Sequence, residues 1–99
     1  MEGVDVMSEK IYKQIEKITK EMYDLEIEYK VYGTVIINAI KNIMTCKFEG
    51  DDAGVKAWTE IRDGYTVHRE LIVTRIGDLR AEALRLKKLY FEEKEKEAQ

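Results

Sequence analysis

Ninety-nine residues, without proline and with 44% hydrophobic and 37% charged side chains, suffice for one small domain over 1–99 and leave no room for a second core. Seventeen Lys and Arg against twenty Asp and Glu give a formal charge of −3, which argues against a general affinity for nucleic acid or anionic membrane. The hydrophobic share exceeds that of a disordered polar tract, so the chain has material to bury.

Residues 1–7 carry Glu2 and Asp5 and lack a basic segment followed by an apolar run, so no cleavable signal peptide is read there. The most apolar stretch, 31–44, is interrupted by Asn38, Lys41 and Asn42 and is too short to cross a bilayer, so no membrane insertion is expected. The expected location is the cytoplasm, or outside the cell by a route that reads no classical signal. Cys46 is alone; it makes neither an internal disulfide nor a thiolate-rich metal site and reads as a small buried hydrophobe.

From Ile11 onward the first half repeats at alternating spacings of four and three: Ile11, Ile15, Ile18, Met22, Leu25, Tyr29, Tyr32, Ile36, Ala39, Ile43, Cys46. That unbroken 3.5-residue rhythm predicts a helix with a coiled-coil seam over about 8–47, with Ser8 and Glu9 at its start. Gly33 and the β-branched run Thr34–Ile37 oppose a helix locally. The register nevertheless passes through them, which predicts a continuous helix with Gly33 at a close approach.

Phe48-Glu49-Gly50-Asp51 reads as a turn over 48–51, with glycine at a left-handed helix end and Asp51 or Asp52 capping the next helix. A second helix is predicted over about 52–94. Its apolar stripe is Val55, Trp58, Ile61, Tyr65, His68, Ile72, Ile76, Leu79, Ala83, Leu86 and Tyr90, one extra step of four loosening the heptad. The charge run 92–97 is expected to fray. The predicted fold is therefore all-α, an antiparallel two-helix coiled-coil hairpin.

A two-helix hairpin has one seam to bury and no third layer. Tyr23, Ile27, Val31 and Val35 form a further stripe at spacing four, and Val67 and Leu71, with Val73 and Leu84, add apolar surface to the second helix. A second apolar face predicts a partner, either another copy or another helical protein, most simply giving a four-helix bundle.

Candidate chemistry is sparse. His68 lacks carboxylates at helical spacing for a metal and reads as a seam-edge histidine. The pair Asp51 and Asp52 is accounted for by capping. All five arginines lie in the second half; among them Arg69, Arg75, Arg80 and Arg85 could contact phosphates, although their spread around the helix suits solvated faces. There is no phosphate loop, nucleophile motif or Cys/His cluster, so neither a catalytic role nor a cofactor is expected.

The layout and two short motifs resemble the WXG (ESX-type) family of helical hairpins exported by type VII secretion, and the related helical partners of LXG toxins. Phe48-Glu49-Gly50 looks like the family's Trp-x-Gly turn, with Phe in place of Trp. Phe91-x-x-x-Glu95 is similar to its Tyr-x-x-x-Asp/Glu export signal. The resemblance implies that Phe48 and Gly50 shape the turn, that Phe91 and Glu95 belong to an export signal, and that the apolar faces bind a like or unlike partner. The alternative is a cytosolic coiled-coil adaptor, inhibitor or viral scaffold protein.

Overall fold

The rhythm of the first half becomes one unbroken helix. In a computed structural model describing residues 6–98, α1 spans Met7–Glu49 and α2 spans Asp52–Ala98, with no strand among the described residues. The chain is an all-α helical hairpin. Glu2 and Asp5, which carry the argument about a signal peptide, lie outside the described residues. Both helices run past the ends expected from sequence, α1 by two residues at its C-terminus and α2 to Ala98 instead of about 94.

α1 passes through Gly33 and Thr34 without interruption. The Thr34 hydroxyl donates to the Lys30 carbonyl four residues back, as Thr19, Thr45, Thr66 and Thr74 do in their own turns, which satisfies these hydroxyls inside the helix. All eleven predicted seam positions of α1 are buried or half-buried.

On α2 the stripe differs from the apolar reading. Ile61 and His68 are exposed, while Arg62 and Arg69 are half-buried in their place. With that exchange the inward positions become Val55, Trp58, Arg62, Tyr65, Arg69, Ile72, Ile76, Leu79, Ala83, Leu86, Tyr90 and Glu93, a strict alternation of three and four. The heptad is therefore regular, and two of its seam positions are arginines.

Between the helices, Gly50 has φ 71°, the left-handed conformation that glycine adopts without a Cβ penalty. Its N–H donates to the Lys47 carbonyl at 3.2 Å, and the Asp51 N–H donates to the Cys46 carbonyl at 2.8 Å, the pair of bonds of a Schellman terminus. Asp51 also opens α2. Its carboxylate accepts the Gly54 N–H at 2.9 Å and its carbonyl accepts the Val55 N–H at 3.0 Å, so one residue closes the first helix and caps the second. The Phe48 side chain packs against none of this and is 93% exposed.

The chain forms two compact units, one of residues 25–75 around the turn and one built from residues up to Asp24 and from Ile76. In the turn unit Ala39, Ile43 and Ile72 are buried. Tyr32 meets Tyr65 edge-on at 5.1 Å between ring centroids and His68 at 6.0 Å, which shows the two helices running antiparallel.

The terminal unit buries Ile11, Ile18, Leu79, Ala83 and Leu86. Ser8, expected to start the helix as a cap, is instead a fully buried seam residue, while the Val6 carbonyl receives the Glu9 and Lys10 N–H groups. The Ser8 hydroxyl lies 2.8 Å from both carboxylate oxygens of Glu97, and its N–H donates to Oε1 at 3.4 Å. A carboxylate from α2 thus sits on the positive end of α1. The run 92–97 stays helical because Glu93 and Glu97 continue the seam spacing, and Lys96 pairs with Glu93 at 3.2 Å.

Candidate functional site

What α1 leaves uncovered follows from its period. At 100° per residue, Val31 and Val35 fall on one flank of the seam and Ile37, Ile40 and Met44 on the other, while Ile27 and Phe48, three heptads apart, lie on the outer face away from it. All of these except half-buried Val35 are exposed. Between Tyr29 and Phe48 the sequence holds no acid and only Lys30, Lys41 and Lys47 as charges; Lys30 and Lys47 fall on the second flank and Lys41 on the outer face. The first flank is therefore free of charge from Val31 to Thr45.

α2 matches that first flank. Ile61, Gly64, His68 and Leu71 lie on one side of its seam, and the Tyr32–His68 ring contact sets this side next to Val31 and Val35. Leu71 is 61% exposed, and Val67 is exposed beside it. Of the sequence-predicted partner face, Val31, Val35 and Leu71 thus share one flank of the turn unit, while Ile27 and Val67, also exposed, lie on the outward faces of their helices. Tyr23 is also exposed but belongs to the terminal unit.

The second flank carries an open recess of about 330 Å³ in which Tyr29 and Ile36 of α1 meet Thr66, Arg69, Glu70 and Val73 of α2. The Arg69 guanidinium lies over the Tyr29 ring, Cζ 3.7 Å from the centroid, and Nε donates to the Tyr29 carbonyl at 3.1 Å. It is held by α1 and is not presented to a phosphate. The other arginines of the phosphate reading, Arg75, Arg80 and Arg85, are exposed, and Arg85 lies 4.0 Å from Glu82.

The terminal unit has a recess of about 370 Å³ beside Ser8, Tyr12 and Tyr90. Tyr12 and Tyr90 are in ring contact at 6.0 Å, and Tyr90 meets Phe91 at 5.4 Å. Phe91 is nevertheless 64% exposed, with Glu95 exposed one turn on. Among the described residues no group of His, Cys, Asp and Glu is placed to hold a metal ion, and no helix is long and apolar enough to cross a membrane.

The chemistry on offer is thus recognition by apolar faces. Burial pushes the Cys46 thiol up from its ordinary range, and the carboxylates of Asp51 and Glu49 add to the effect, which makes it a poor nucleophile. No protein-family model, curated protein or solved structure matches the chain.

Proposed function

We propose that this protein is a non-enzymatic helical interaction module whose working surface is the apolar flank Val31, Val35 and Leu71, with Ile27 and Val67 at its outer edges, covered by a second copy of the chain in a four-helix bundle. One observation carries the reading. The chain exposes 7725 Å², about a third more than the roughly 5,800 Å² of a compact monomer of its mass. The excess exceeds the roughly 800 Å² per partner of a standard interface. An apolar face of this kind, bordered by Glu28 and free of charge on α1 from Val31 to Thr45, has the composition of a surface buried in an assembly.

Glutamate at Val31 or Leu71 places a charge in that face without touching the seam. Light scattering on either variant is expected to give the mass of one helical chain where the parent gives two. Equal masses for variant and parent remove the face from the interface.

The exposure of Phe91 and Glu95 one turn apart supports a second reading, a WXG-like exported protein or toxin partner, because an export signal has to be read from outside the fold. Secretion from the native host is expected to fall in Phe91→Ala and Glu95→Ala. Undiminished secretion of both variants removes the signal and returns the protein to the cytosolic adaptor class. Nucleic-acid binding through the second helix is the weakest reading, since Arg69 is engaged on Tyr29.

A further inference from the structure

We infer that acid separates the two copies and that His68 is the residue through which it does so, a regulation that rests on the dimer face proposed above. His68 is the chain's only histidine and stands on that flank of α2 between Gly64 and Leu71. It is exposed, and its ring meets Tyr32 of α1 edge-on at 6.0 Å. Among the described residues it makes neither a hydrogen bond nor an ion pair. A second copy laid over Val31, Val35 and Leu71 therefore also covers an imidazole that has no ion-pair partner in its own chain.

Histidine changes charge between about pH 5 and 8, and burial disfavours the charged form. The surroundings decide the sign. On α2 the flank holds no other titratable group from Ile61 to Leu71, and the next is Arg75, one heptad after His68, a cation that opposes a second positive charge. On α1 the residues set beside the ring are Tyr32, Val31 and Val35; phenols carry no charge in this range. The nearest charge on that wall is Glu28, exposed at the border one turn before Tyr32.

The covering surface is the same flank of the other copy, so it adds the same charged and titratable groups. Two imidazoles thus enter one interface, with carboxylates only at its solvated rim. A rim carboxylate supplies a weak, screened attraction, whereas an imidazolium enclosed by valine and leucine side chains loses its hydration. Protonation accordingly favours the separated copies, in which His68 is open to water. By linkage, dissociation takes up as many as two protons.

The test is sedimentation equilibrium of the full chain at about pH 7.5 and about pH 5.5 at one ionic strength, with helicity followed by circular dichroism. The dimer dissociation constant is expected to rise at least about tenfold on acidification while the helix signal is kept, the effect of excluding one proton a pH unit below the ordinary histidine value of about 6.5. His68→Gln and His68→Leu should each hold the constant within about threefold over the same range, with the leucine variant the tighter dimer. Glu28→Gln should keep the acid response. A parent dimer equally tight or tighter at the lower pH, a response that survives in both His68 variants, or one abolished by Glu28→Gln would each overturn the inference and leave the dimer face standing. A parent that is monomeric already at about pH 7.5 removes the face itself, and this regulation with it.

Discussion

Arg69 and Tyr29 are joined twice, by the stacked guanidinium and ring and by the bond from Nε to the Tyr29 backbone carbonyl at 3.1 Å. The second link exists because of a third residue. In a helix the residue four positions after a carbonyl flanks it, and here that residue is Gly33. A Cβ on Gly33 would stand 2.9 Å from Nη2 and 3.1 Å from Cζ of Arg69. The glycine that looks like a helix breaker in sequence is the space into which an arginine from α2 fits.

Gly33→Ala is therefore expected to change sign with its partner. With Arg69 present, the methyl gains about 1 kcal/mol of helix propensity but displaces a charge-assisted bond of about 1.5–3 kcal/mol, a net loss of about 1 kcal/mol. In an Arg69→Met background the same substitution should stabilise by about 1 kcal/mol. Urea unfolding of the four proteins of this double-mutant cycle measures the coupling; additivity of the two substitutions would show that the contact contributes nothing.

The other glycines separate by surroundings. Gly50→Ala forces a side chain into φ 71° and should cost about 1 kcal/mol. Gly54→Ala should cost more despite its helical position, because the Cβ would crowd the Asp51 carboxylate and come within 2.6 Å of the Cys46 sulfur. Gly77 has nothing within 4 Å of a Cβ, so Gly77→Ala should stabilise by about 0.5–1 kcal/mol. Thermal unfolding by circular dichroism ranks the three, and a destabilising Gly77→Ala would reveal a contact that the chain alone does not provide.

Cys46 reports on the same turn. Burial, the charges of Asp51 and Glu49, and a hydrogen bond to Asp51 all favour the thiol over the thiolate. Iodoacetamide should alkylate the native protein more slowly at pH 8 than the unfolded chain, and Asp51→Asn should accelerate the native reaction. Since the folded-state pKa is raised above the unfolded one, the stability it contributes is complete below the unfolded value and is lost as pH rises through the folded one. Equal alkylation rates for parent and Asp51→Asn would separate Cys46 from the cap.

At the other end, Glu97→Ala removes the only partner of the buried Ser8 hydroxyl among the described residues and uncaps α1. A cost of about 1–2 kcal/mol is expected, read as faster amide exchange in the first turn of α1, with Glu97→Gln intermediate. Unchanged exchange would mean that solvent replaces the carboxylate freely.

The legible part of this fold was its period. On α1 every seam position from Ile11 onward is apolar, aromatic or sulfur-bearing, so hydropathy alone finds those eleven. On α2 hydropathy selects Ile61 and His68 because arginine scores as solvent-facing. Arg69 instead lays its guanidinium on Tyr29, and Arg62, half-buried, also takes a seam position, an inward use of long side chains that composition does not reveal. Counting back from Ile72 in strict threes and fours would have found both arginines. Ser8, Glu93 and Glu97 escape hydropathy for the same reason: they are polar residues at seam positions, and Ser8 and Glu97 meet only across eighty-nine residues of sequence. The stripe of Ile27, Val31 and Val35 is visible at spacing four, whereas the stripe Ile37, Ile40, Met44 and Phe48 runs out of the predicted helix 8–47 into the residues 48–51 read as turn.

Sedimentation equilibrium of the intact chain at micromolar concentration tests the central claim most directly. The uncovered apolar flank predicts a folded species of twice 11.6 kDa, dissociating on dilution. A fully helical species of 11.6 kDa at every concentration would contradict it.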